Sequence, residues 1–218
     1  MTNMKALKLI LTGIAICTTL LSCGQDKMKK NINKPLNMNN IKTDTATFGQ
    51  GCFWCAEAIF TSLEGVLKVT SGFSGGHVAN PSYKDVCTGT TGHAEVIQVI
   101  YDPTKISYDL LLKAFWSSHD PTTLNRQGAD VGTQYRSVIF YHDGHQKELA
   151  EKYKKDLDDS KIFSTPVVTE ITAFTKFYPA EDYHQDYYAN NKEASYCQFV
   201  IHPKLEKFKK IFADKMKK

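Results

Sequence analysis

Thr45-Ala46-Thr47-Phe48-Gly49-Gln50-Gly51-Cys52-Phe53-Trp54-Cys55-Ala56-Glu57-Ala58-Ile59-Phe60 changes character at its middle. Thr45 to Gln50 is a short strand candidate that leads to Gly51. From Cys55 the composition is helical, Leu63 extends the apolar face, and Glu64-Gly65 stops it. Cys52 and Cys55 fall at the junction, three positions apart. A thiol at a helix start is favoured as thiolate by the free N–H groups and the dipole there, and a second thiol one turn on can capture an oxidised form of the first. The stretch therefore reads both as the opening strand-to-helix step of the fold and as redox chemistry on sulfur.

Outward from this junction, Val66 to Phe73 alternates as a strand does and enters the turn Ser74-Gly75-Gly76. His93 to Tyr101 is a strong strand closed by Asp102-Pro103. Ser107 caps a helix whose apolar positions Leu110, Leu111, Ala114 and Phe115 recur at helical spacing. Tyr135 to Tyr141 is a strand, Asp143 caps a long charged helix through Asp159, and Val167 to Ala173 is a further strand. Ala180 to Asn190 is expected to be helical, and His202-Pro203 opens a last basic amphipathic helix. The order strand, helix, strand, strand, helix, strand predicts an α+β fold. The expected form is a ferredoxin-like two-layer sandwich, with a mixed or antiparallel sheet and helices packed on it.

The chain has 218 residues, enough for one sizeable domain and a leader. With 42% hydrophobic and 23% charged residues its composition is that of a globular protein, not of a disordered or fibrous one. Residues 1–22 carry Lys5 and Lys8 and no acid, so without them 25 basic residues face 23 acidic ones. That balance, with scattered lysines and a basic tail from Lys204 to Lys218, argues against nucleic acid as a partner.

The start is basic, and Leu9 to Leu21 is mostly apolar, the layout of a secretory signal peptide and too short for a transmembrane helix. Leu20-Leu21-Ser22-Cys23-Gly24 resembles the lipobox of bacterial lipoproteins, in which the cysteine is lipidated. Residues 1–22 are thus expected to be a signal peptide, 23–45 a tether rich in Asn and Lys, and 46–218 the catalytic domain. The resulting expectation is an envelope protein held in the membrane by lipid at Cys23, with its catalytic domain outside the cytoplasm.

Six cysteines could form a disulfide framework, bind zinc or do redox work. Cys17 and Cys23 belong to the leader, leaving Cys52, Cys55, Cys87 and Cys197. These are too sparse to staple a domain that can form a core, and the single CxxC lacks the second half of a zinc ribbon. Gly49-Gln50-Gly51 invites a dinucleotide-binding reading, but Trp54 stands where the third glycine of that fingerprint would give close helix packing. Two alternatives stay open. One is a general thiol-disulfide oxidoreductase, and the other is a metal-binding module built on Cys52, Cys55 and His93 with Cys87 or Cys197 as a fourth ligand.

Four further segments are loaded with polar and aromatic residues: Pro81 to Cys87, Gly92-His93-Ala94-Glu95, Gly128 to Ser137, and Ala180-Glu181-Asp182-Tyr183-His184. With Gly51-Cys52-Phe53-Trp54 and Gly132-Thr133-Gln134-Tyr135-Arg136-Ser137, their order from about Thr47 through Phe212 closely resembles the A-type peptide methionine sulfoxide reductases. The resemblance implies reduction of methionine-(S)-sulfoxide, in oxidised proteins and as the free amino acid. It also implies a monomer with no metal or organic cofactor and electrons from thioredoxin or another dithiol.

By the same resemblance, Cys52 attacks the sulfoxide sulfur and is left as a sulfenic acid. Glu95 protonates the sulfoxide oxygen, which a carboxyl does near neutrality only when burial raises its pKa. Tyr83 and Tyr135 donate hydroxyl bonds to that oxygen. Asp130 organises the site or simply forms structural hydrogen bonds. Phe53 and Trp54 form an apolar wall for the substrate methyl group. Cys55 is favoured as the resolving thiol because it lies one turn from Cys52. Cys197 is the other candidate, either relaying the disulfide outward or merely buried beside Phe199 and Ile201. Cys87 and His184 are expected to be structural.

Overall fold

The computed structural model describes residues 42–218. The leader, Cys23 and nearly all of the tether lie outside the described residues. Strand β1 (Asp44–Gln50) leads into helix α1 (Phe53–Thr61) through Gly51, whose φ of 93° is left-handed backbone open to glycine. A side chain there would also strike the aliphatic carbons of Gln127. Strand β2 (Val66–Ser74) follows, then the one-turn helix α2 (Tyr83–Cys87), opened by a capping box between Ser82 and Asp85. Strand β3 (Ala94–Tyr101) precedes α3 (Tyr108–Ser118), where the Ser107 hydroxyl accepts the Leu110 N–H. A small hairpin, β4 (Arg126–Gln127) and β5 (Asp130–Val131), and a 3₁₀ turn at Thr133–Tyr135 lead to β6 (Ser137–Tyr141). Then come α4 (Gly144–Ser160), capped by Asp143, β7 (Glu170–Ala173), β8 (Phe177–Pro179) and α5 (Tyr187–Asn190). A π-helical turn at Cys197–Ile201 runs into α6 (His202–Ile211).

The six long-range strands form one mixed sheet in the order β7-β6-β1-β3-β2-β8. Its inner four, β6-β1-β3-β2, are antiparallel neighbours and form two interlocked β-α-β units, the ferredoxin-like arrangement expected from the element order. β7 joins β6 in parallel and β8 joins β2 antiparallel. The main core fills the space between one sheet face and the helices. Phe48 sits at its centre, with ring centroids 5.5 Å from Phe60 and 5.2 Å from Phe115. Full burial of each such ring stabilises the fold by roughly 1.5–3 kcal/mol. The opposite face carries a smaller cluster, Ala94, Val96, Val138 and Phe140, beneath Phe174 and Phe177. Strand alternation therefore places Glu95 with Ile97 and Val99 on the helix-covered face, in line with the start of α1.

Three expectations need correction. Strand structure begins at Ser137, leaving Tyr135 in the 3₁₀ turn, and at Glu170, not Val167. Ala180 to Asn190 is not one helix but a 3₁₀ turn at Asp182–His184 and the separate α5, divided at Asp186 with φ 52°. Tertiary bonds override the helical composition there: the Gln185 amide accepts the Ser71 N–H and donates to the Ser71 and Ala180 carbonyls. β8 was not anticipated. It pairs with β2 because Gly72 has no side chain to meet the Phe177 ring and the Tyr178 carbonyl.

Candidate active site

Cys52 is the N-cap of α1, and its carbonyl accepts the N–H groups of Cys55 (3.2 Å) and Ala56 (3.3 Å). The next N–H, that of Phe53, donates to Glu95 Oε2 at 3.0 Å. Glu95 is 1% exposed, and its other carboxyl oxygen, Oε1, is buried with no protein partner. Burial pushes the Glu95 carboxyl up to about 8, with the Phe53 N–H opposing and the charges of Asp130 and Cys55 adding. Because Oε2 accepts an N–H, the proton of the neutral acid belongs on Oε1. The site thus holds a carboxylic acid that is protonated at neutral pH, with its O–H unclaimed by protein.

The two junction thiols are buried and share an apolar cluster with Cys197 and Ile201. Burial pushes the Cys52 thiol well up, and its hydrogen bond to Cys55 acts in the same sense. Cys55 is lowered to about 7, chiefly because the Cys52 S–H donates to it, with Lys204 assisting against burial. Desolvation of Cys52 opposes the pull of the helix terminus, a contribution that helix position alone leaves out.

Around the sulfurs stand hydroxyls and rings. Tyr83 opens α2, with its ring 6.1 Å from Phe53 and 4.3 Å from His184, and its N–H donates to Glu181 Oε1. Tyr135 packs on the cysteine cluster. Burial holds the phenols of Tyr83 and Tyr135 above their ordinary range, so both remain donors. Tyr196 donates to Asp130 Oδ2 at 2.9 Å while its oxygen lies 3.9 Å from Cys55 Sγ. Trp54, half-buried, donates its indole N–H to His184 Nδ1 at 3.2 Å and stacks on Tyr187 with ring centroids 3.7 Å apart and planes 7° from parallel.

All the residues expected at the site, Cys52, Phe53, Trp54, Cys55, Tyr83, Glu95, Asp130, Tyr135 and Cys197, surround the start of α1. Cys197 is buried with Ile201, but Phe199 is 78% exposed and does not cover it. Cys87 is exposed, at the far end of α2. His93 is unavailable as a metal ligand: Nδ1 accepts the Gly76 N–H at 3.0 Å and Nε2 faces the Val78 carbonyl at 2.7 Å. Sequence reading missed Tyr187 and the hydroxyl of Tyr196. Tyr187 was hidden by the assumption of a continuous helix. Tyr196 stood in view beside Cys197, but no local pattern ties it to Asp130.

Residues 44–216 match the family model of peptide methionine sulfoxide reductase. The peptide methionine sulfoxide reductase MsrA of Saccharolobus solfataricus is 53% identical over 174 residues, 80% of this chain and 97% of that protein. The MsrA of Chromobacterium violaceum is 52% identical over 170 residues, 78% of this chain and 97% of the relative. Among solved structures, methionine sulfoxide reductase A of Corynebacterium diphtheriae is 39% identical with a TM-score of 0.63, over 70% of this chain and 76% of that one. A match spanning the whole described fold and the thiol junction shows that the chain belongs to the peptide methionine sulfoxide reductase family.

Proposed function

We propose that this chain reduces the S-sulfoxide of methionine, in oxidised proteins and as the free amino acid, with Cys52 as nucleophile and Glu95 as acid. The observation that carries this reading is the buried Glu95, with one oxygen fixed by the Phe53 N–H and the other bare beside the Cys52 helix start. A sulfoxide sulfur accepts a thiolate only when its oxygen gains a proton. Glu95 supplies that proton, Tyr83 and Tyr135 donate to the same oxygen, and Cys55 takes the proton of Cys52 as the S–S bond forms. The hydroxyl then passes from the methionine sulfur to Cys52 Sγ as the bond between the two sulfurs breaks, so methionine leaves and Cys52 becomes a sulfenic acid. The Cys55 thiol then displaces the hydroxyl as water, giving a Cys52–Cys55 disulfide. Both hydrogens of that water are accounted for, one from Glu95 and one from Cys52.

Phe53 and Trp54 face the substrate methyl group, and Asp130 orients Tyr196 against the sulfurs. Cys197, buried in the same cluster, is suited to take over the disulfide and present it to thioredoxin or a similar dithiol. The composition of residues 1–24 supports export and a lipid anchor at Cys23, which would put this repair activity, as a monomer, at the cell envelope. The reading is tested by offering the separated sulfoxide epimers to the full chain with dithiothreitol. The S epimer alone should be reduced, and Cys52→Ser should abolish turnover. Undiminished reduction by Cys52→Ser would overturn the scheme.

A further inference from the structure

We propose that Glu57 is a positioning residue for the substrate wall: it clamps the Asp186–Tyr187 turn so that the Tyr187 ring lies flat on Trp54. Glu57 follows Trp54 by three positions on α1, so the two side chains share a face of the helix. It is 3% exposed, a rare place for a carboxylate without a dedicated partner. Its partners are backbone: Oε1 accepts the Asp186 N–H at 3.0 Å and Oε2 accepts the Tyr187 N–H at 3.2 Å. The left-handed backbone of Asp186 turns these two successive N–H groups toward one carboxylate, a small anion-holding nest. The ring of the second residue of that turn, Tyr187, is the one that stacks on Trp54 at 3.7 Å. On the other side the segment is pinned by Gln185 to Ser71, and the Glu57 bonds tie its backbone to α1.

No step of the proposed reaction uses Glu57. Its effect runs through Trp54, and in that respect the inference rests on the reading of Trp54 as the wall for the substrate methyl. A rigid wall lowers the free energy of the bound sulfoxide without touching the proton transfers, so loosening it should raise KM and spare kcat.

The test uses the full chain, free methionine sulfoxide and dithiothreitol. Glu57→Ala should raise KM roughly tenfold with kcat within about twofold of wild type. Glu57→Gln, which keeps one acceptor oxygen, should fall between. The near-ultraviolet circular dichroism of the stacked pair should be lost in Glu57→Ala and in Tyr187→Ala, and combining the two should add nothing to the KM of either. An unchanged KM in folded Glu57→Ala, or additive effects in the double variant, would overturn the clamp. Should Glu57→Ala fail to fold, Glu57→Gln with Tyr187→Leu decides: non-additive rises in KM support the clamp and additive ones reject it. A wild type inert toward sulfoxide sinks the reaction reading, while the dichroism of the variants still judges the clamp.

Discussion

Two carboxyl groups are buried at α1, one borne by the helix and one meeting its start, and they are used in opposite ways. Glu57 has both oxygens filled by backbone N–H groups, and burial lifts it to about 7 against the pull of those bonds. Glu95 has one oxygen filled and one bare, and burial lifts it further, to about 8. A carboxylate satisfied on both sides is a fastener. A carboxyl left half satisfied by protein keeps its proton available to an incoming acceptor, at a standing cost to stability. The contrast separates architecture from chemistry in a site where burial alone would make the two look alike.

The sharpest way to break the contrast is Glu95→Gln. The amide still accepts the Phe53 N–H but cannot give up a proton, so single-turnover sulfoxide reduction should fall by ~10²–10⁴-fold. Stability should move the other way. In an unfolded chain the carboxyl ionises near its ordinary 4.5, and in the fold near 8, so the folded state holds a proton that the unfolded state releases between those values. Wild-type stability therefore drops as pH rises from about 4.5 to about 8 and stays lower above it. Glu95→Gln should escape that drop and be more stable by ~1–3 kcal/mol at pH 9, converging on wild type at low pH. Denaturation midpoints at the two pH values check this, and an activity-neutral Glu95→Gln would reduce Glu95 to a second fastener.

A smaller effect concerns the sulfurs. With Cys55 needed as the charged partner of Cys52 and Glu95 as the neutral acid, the rate of the first turnover should rise through about 7 and fall through about 8. These limbs belong to the coupled site as a whole. Cys55→Ser should erase the acid limb and leave the alkaline one. A Cys55→Ser profile identical to wild type would show that the proton of Cys52 leaves by another route.

Much of this was legible in the chain. The strand-to-helix junction, the strand that carries Glu95, and the caps Ser107 and Asp143 are local signals, and the fold honours each of them. What stayed hidden depends on partners distant in sequence. The break at Asp186 comes from Gln185 and Glu57, neither of which alters the helical look of Ala180 to Asn190. The three residues of β8 are too few to show a period, and they pair only because Gly72 lets Phe177 approach. The upward push on Cys52 comes from burial and the lowering of Cys55 from its bond to Cys52, neither of which helix position discloses.

The smallest expected effect lies on α4, where charge is displayed and not buried. Lys152 pairs with Asp156 and Lys155 with Asp159, each at i,i+4 spacing and each more than half exposed. The acidic partner Asp159 is held below its ordinary range, first by its bond to Lys155. Yet solvent screens such pairs, and fixing two long side chains offsets their attraction. Lys155→Ala should leave the denaturation midpoint and the sulfoxide KM indistinguishable from wild type, in low salt and in high. A clear loss confined to low salt would mean that the α4 ion pairs act as a connected network, and that exposed charge in this fold is as structural as the carboxylate of Glu57.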